Sequence, residues 1–121
     1  MTTEFKGLTA AVTGAGSGIG LATLKILADG GATVYGLDIA EGGIAEHGTW
    51  LPCDVGDDTS VAAAFSKISS LDILINSAAI SAVGTVESNP SDEWHKVMNV
   101  NVVGIVRTVR EALPLLRKSK S

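Results

Sequence analysis

Residues 13–20 read Thr-Gly-Ala-Gly-Ser-Gly-Ile-Gly, and Asp38 closes the next apolar run at Leu37-Asp38. Glycine costs backbone entropy wherever it stands, so such a burst needs a reason. One reason is an anion. Gly14 permits a tight turn, Gly18 lets a pyrophosphate come up against bare backbone at a helix N-terminus, and Gly20 lets that helix press on its neighbour. Asp38 supplies an acidic residue at the end of the next predicted strand, the context in which such a glycine turn gains meaning. A turn whose glycines serve packing alone is the alternative reading, and Asp38 at that distance weighs against it.

The elements that must position these residues follow from two alternating periods. Short apolar or β-branched runs at 8–14, 33–38, 49–54 and 71–78, each stopped by Gly, Asp or Asn, predict strands. Helical spacing lies between most of them. In the first helix Ile19, Ala22, Ile26 and Leu27 form the expected inward stripe, with Lys25 and Asp29 outside and Gly30-Gly31 ending it. In the second, Asp57 or Asp58 is a candidate cap, followed by Val61, Ala64, Phe65 and Ile68 at core spacing. The stretch 39–48 is too short and glycine-rich for more than a turn or loop. A last long helix has Asn89 as its expected cap and Pro90 at its first position. Val102, Ile105, Val106, Val109, Ala112, Leu113 and Leu116 make one face of it, with Arg107 and Glu111 paired opposite and Pro114 expected to kink its far end. Continuously apolar strands alternating with helices predict an α/β fold, a Rossmann-type doubly wound parallel sheet in a single domain over 1–121.

Composition narrows the function classes. The chain has 121 residues, 45% apolar and only 4% aromatic, so its core is aliphatic. A net charge of −4 gives no electrostatic reason to bind nucleic acid. The late basic cluster of Arg107, Arg110, Arg117, Lys118 and Lys120 reads as a solvated helix face and tail. Cys53 is the single cysteine, no metal-ligand spacing occurs, and His47, His95, Trp50 and Trp94 read as surface or packing residues. The start, Met-Thr-Thr-Glu-Phe-Lys-Gly, has no apolar signal region and no run is long enough for a membrane span, so a cytoplasmic protein is expected.

The outer glycines of 14–20 are spaced Gly-x-x-x-Gly-x-Gly, and four further landmarks follow in register: Leu-Asp at 37–38, Cys-Asp-Val at 53–55, Asn-Ser-Ala-Ala at 76–79 and Asn-Val-Asn-Val-Val-Gly at 99–104. Together they resemble the N-terminal half of the short-chain dehydrogenase/reductase family. The resemblance implies that Gly14, Ser17, Gly18, Ile19 and Gly20 wrap a pyrophosphate. It implies that Asp38 holds the adenosine ribose, that Asp54 and Val55 meet the adenine, and that Asn76 and Ala78 line the nicotinamide ribose. Asp38 repels a 2′-phosphate, and Ser17 stands where NADP-preferring members often carry a basic residue, so the implied cofactor is NAD. Asn101 is the implied catalytic residue, holding a water in a proton relay. Ser77 and Ala79 depart from the family's Asn-Asn-Ala-Gly.

The family's Ser and its Tyr with a Lys four residues later have no counterpart before residue 121. Tyr35, the single tyrosine, lies within the second strand and residue 39 is Ile. The chain is therefore expected to stop before a fifth strand and to be inactive alone. Two functions stand open: an NAD-dependent oxidoreductase acting on a secondary alcohol or ketone, completed by a C-terminal half, and a non-catalytic dinucleotide-binding or regulatory module. The glycine spacing and the Asn-x-x-Gly helix argue against a methyltransferase using S-adenosylmethionine. The resemblance further implies a homodimer or homotetramer built through the helix around 100–117.

Overall fold

A computed structural model describes residues 3–121. Four parallel strands, β1 (Thr9–Thr13), β2 (Thr33–Asp38), β3 (Thr49–Pro52) and β4 (Ile73–Asn76), form one sheet in the order β3-β2-β1-β4. The chain moves outward from β1 through β2 to β3, then returns to add β4 on the other side of β1. That reversal opens a crevice at the C-terminal ends of β1 and β4, where ligands of such sheets bind. The helices are α1 (Gly18–Asp29), α2 (Asp58–Phe65), α3 (Ser91–Met98) and α4 (Gly104–Leu116), with a π-helical turn at Asn99–Val103 between the last two. Residues 39–48 contain one 3₁₀ turn, Ile44–Glu46, as their length predicts.

Both faces of the sheet are covered. Successive side chains of a strand point to opposite faces, so Ala10 and Val12 pack with Leu24, Leu27, Val34 and Ile44 under α1, whereas Ala11 packs with Leu37, Leu51, Val61, Phe65 and Ala112 under α2 and α4. Asp57 caps α2, its carboxylate accepting the Ser60 N–H at 3.0 Å, and Val61, Ala64, Phe65 and Ile68 are all buried as their spacing predicts.

Four details differ from the sequence reading. α1 buries Gly20, Leu24 and Leu27, while Ile19 is 80% and Ile26 65% exposed. The reason is Gly20: a Cβ there would overlap the Gly14 carbonyl oxygen, so the helix touches the glycine turn itself and its rotation is set by that contact. α4 buries Gly104, Thr108 and Ala112, the small residues four apart, and leaves Ile105, Val106 and Leu113 exposed, as the π-helical turn before it leaves Val102. The close approach explains this choice, since a Cβ on Gly104 would stand 3.0 Å from Val55 Cγ2. Asn89 does not cap the helix that follows: Pro90 is the capping position and helix begins at Ser91. Arg107 is not on a solvated face opposite the core and does not pair with Glu111; it turns inward to Asp58. α4 continues through Pro114 to Leu116.

Candidate functional site

The glycine turn joins β1 to α1 at the crevice. Gly14 has φ +65° and Gly18 φ +56°, a region that side chains rarely enter. At Gly14 a Cβ would also stand 2.7 Å from Ala78 Cα, so this glycine lets the turns after β1 and β4 touch. At Gly18 a Cβ would meet nothing within 4 Å. Packing therefore does not account for Gly18; its position is open space in front of a helix terminus. The first intrahelical bond runs from Leu21 N–H to Ser17 O, which leaves the amides of Gly18, Ile19 and Gly20 without intrahelical acceptors. Ser17 stands at the cap in extended conformation without a capping side-chain bond, and no acid occupies the first turn. A terminus of this kind suits an anion.

Gly14, Ser17, Ile19, Gly20, Asp38, Asp54, Val55 and Ala78 line one cleft of about 430 Å³ above the sheet. Gly18 sits in the same turn. Asn76, the last residue of β4, is not among the lining residues; its Oδ1 accepts the Thr108 hydroxyl at 2.6 Å, which ties β4 to α4 just below the cleft. Asp38 is braced by its own surroundings, its Oδ2 accepting the Gly16 N–H at 2.9 Å and its Oδ1 the Ala40 N–H at 3.3 Å. Each oxygen keeps a second lone-pair direction for a ligand. Burial pushes the Cys53 thiol up to about 11, with the nearby Asp54 and Asp38 charges adding to it, so this cleft-lining sulfur stays protonated at neutral pH.

Asn101 lies in the π-helical turn, a distortion common at functional sites. Its side-chain amide forms a reciprocal pair with one residue of the loop after β4: Oδ1 accepts the Ile80 N–H and Nδ2 donates to the Ile80 carbonyl, both at 2.8 Å. That pair anchors the loop beside the cleft, and one N–H of Nδ2 and one acceptor direction of Oδ1 stay available to a water.

Sequence reading missed several residues that hold the site. The Thr13 hydroxyl, 1% exposed at the end of β1, accepts the N–H groups of both Ser77 and Ala78, at 3.0 and 3.1 Å. Its place immediately before Gly14 was the available signal. Gly42, at φ +51°, touches the backbone of Gly16, and Gly43 N–H donates to Gly16 O at 3.2 Å, so the loop after β2 supports the glycine turn from below. Trp50 is more than packing, donating its indole N–H to the Asp38 carbonyl at 3.0 Å, while Trp94 is nearly half exposed. Among the described residues no three His, Cys, Asp or Glu side chains converge as metal ligands, and no helix is long and apolar enough to cross a membrane.

A parallel sheet wound in both directions, with a glycine turn and a helix N-terminus at its reversal point and an acid ending the next strand, defines a Rossmann-like α/β domain with an anion-ready crevice. The short chain dehydrogenase family model matches residues 8–121, and the chain belongs to that oxidoreductase family. It is 34% identical, over 98% of its length, to the 3-oxoacyl-(acyl-carrier-protein) reductase FabG of Vibrio harveyi, of which it covers 53%. It is 36% identical to the D-beta-hydroxybutyrate dehydrogenase of Cupriavidus necator, with 93% of this chain and 49% of that protein covered. Among solved structures, the ligand-free aldohexose dehydrogenase of Thermoplasma acidophilum superposes on all of this chain with a TM-score of 0.92 at 30% identity, using 49% of its own chain. The chain thus spans about half the length of these relatives.

Proposed function

We propose that the chain is the cofactor-binding half of an NAD-dependent dehydrogenase acting on a secondary alcohol or ketone. The observation that carries this reading is Gly18, held at positive φ with free space where a side chain would be, at a helix terminus whose first amides have no intrahelical acceptor. A pyrophosphate fits there. In this reading Gly14, Ser17, Gly18, Ile19 and Gly20 wrap it, Asp38 takes the adenosine ribose, Asp54 and Val55 flank the adenine, and Asn76 and Ala78 stand on the nicotinamide side. The nicotinamide, when bound, supplies the hydride acceptor or donor. Asn101 orients a water through its remaining hydrogen-bonding capacity and so contributes to proton transfer.

The preference for NAD rests on charge. Asp38 lines the cleft and the residues after it, Ile39, Ala40 and Glu41, offer no cation to offset a 2′-phosphate. Two like charges in a confined site repel. Tyr35 in β2 does not have the Tyr-x-x-x-Lys setting of the family's acid/base, so in this reading the proton chemistry depends on residues the chain does not carry. The exposed row of Val102, Ile105, Val106 and Leu113 on and beside α4 supports a homodimer or homotetramer assembled through that helix. The reading includes a cytoplasmic location.

The test is calorimetric titration of the protein with NAD and NADP. NAD should bind more tightly, and Asp38→Ala should weaken it on the order of ten- to a hundredfold, the size of hydrogen bonds to a charged acceptor. A wild-type protein that prefers NADP would contradict the assignment, and one that binds neither would remove the dinucleotide reading itself.

A further inference from the structure

We propose that Arg107 is a positioning residue for the adenine end of the cleft, a role that rests on the dinucleotide reading above. Its side chain is only 13% exposed and makes four bonds to three segments of the chain. Nε donates to Asp58 Oδ1 at 2.6 Å, Nη1 to the carbonyls of Val55 at 2.9 Å and Asn99 at 3.1 Å, and Nη2 to Asn99 Oδ1 at 2.6 Å. Asn99 completes the circuit, its Nδ2 donating to the Gly56 carbonyl at 3.0 Å. Arg107 and Asn99 therefore hold two consecutive carbonyls of the loop after β3. The same loop is closed locally by Gly56 N–H on Asp54 Oδ1 at 2.8 Å.

The opposite side of this loop is the cleft. Cys53, Asp54 and Val55 line it, as does Val100 of the π-helical turn, whereas Arg107 does not. Arg107 acts through them. A guanidinium offers its donors in a fixed planar fork, so one side chain can grip the two segments that face the adenine and keep their separation constant. An ammonium is a point donor on a flexible stem and does not reproduce that span. The loop also has a wall behind it, because Gly104 stands against Val55. Loss of the fork therefore lets the loop relax toward the cleft side, where the adenine is expected.

The consequence is selective for one half of the cofactor, which a general loss of stability is not. Affinities for AMP and for nicotinamide mononucleotide are compared by NMR titration in the wild type, Arg107→Ala and Arg107→Lys. Both variants should lose about tenfold for AMP, the effect of one to two charge-assisted bonds, and leave the nicotinamide mononucleotide unchanged. If Arg107→Ala does not fold, Asn99→Ala removes one of the same bonds, that to Asn99 Oδ1, together with the Gly56 anchor, and the same selective loss is expected. Equal losses for both nucleotides, full rescue by lysine, or no loss would overturn the inference. A wild type that binds neither AMP nor NAD would instead remove the dinucleotide reading on which it rests.

Discussion

At Gly18 two requirements meet in one atom that is missing. The backbone is at φ +56° and the space beyond it is empty, so a side chain there is opposed by conformation and, in the proposed complex, by the ligand. A side chain in that conformation costs about 1–2 kcal/mol, well within the stability of a folded domain. Gly18→Val should therefore keep a cooperative thermal transition while abolishing NAD binding. Retained binding at near-normal affinity would make the glycine structural after all. Gly14 and Gly20 are different cases. Each is in backbone contact, with Ala78 and with the Gly14 carbonyl respectively, so substitutions there should damage the turn before they damage a ligand.

At the scale of elements, the end of the sheet away from the cleft is held by one carboxylate. Asp72, immediately before β4, accepts the Ser119 hydroxyl at 2.6 Å, the Thr9 N–H at 2.8 Å and the Ser121 hydroxyl at 3.3 Å. It thereby joins the starts of β1 and β4 to the segment after α4. The Ser119 bond first and the Thr9 bond second hold its carboxyl below the ordinary value of 3.8. A group whose folded value is depressed stabilises the fold fully above its unfolded value, and that contribution is lost as pH falls through the folded one. Asp72→Asn should accordingly lower the melting temperature at pH 7, with the difference from wild type shrinking once the pH drops below about 4. An unchanged difference at pH 3 would show that the carboxylate's charge plays no part.

For the whole molecule the question is what covers α4. Its fully buried residues are the small Gly104, Thr108 and Ala112, with Leu115 and Leu116 partly buried at its far end, while Ile105, Val106 and Leu113 stay exposed. A two-fold contact pairs such a row with its own copy. The intact protein should sediment as a dimer or tetramer, and a double Ile105→Asp, Val106→Asp variant should sediment as a monomer with its thermal transition preserved. A wild-type monomer at concentrations of tens of micromolar would refute the assembly.

Local chemistry made much of this protein legible before any tertiary structure was in view. Strand positions, the Asp57 cap, the core positions of α2 and the glycine turn before α1 all depend on neighbours within about one helical turn, and the sequence carries those neighbours side by side. The same is true of the proposed site's outline, for parallel strands that end at Thr13, Asp38, Pro52 and Asn76 bring Gly14, Asp38, Asp54 and Asn76 to the same end of the sheet. What the sequence could not decide was which of two apolar surfaces each helix turns inward. In α1 that was settled by Gly20 against the Gly14 carbonyl, and in α4 by Gly104 against Val55. Both are places where a glycine lets the helix backbone come up against a neighbour, and periodicity counts apolar residues without knowing which neighbour comes nearest. Arg107 shows the same limit for polar groups: helical spacing offered Glu111 four residues away, but folding offered Asp58 and Val55, far off in sequence, and left the arginine side chain 13% exposed. A buried guanidinium is stable only where several acceptors surround it at once, and only the tertiary structure assembles them.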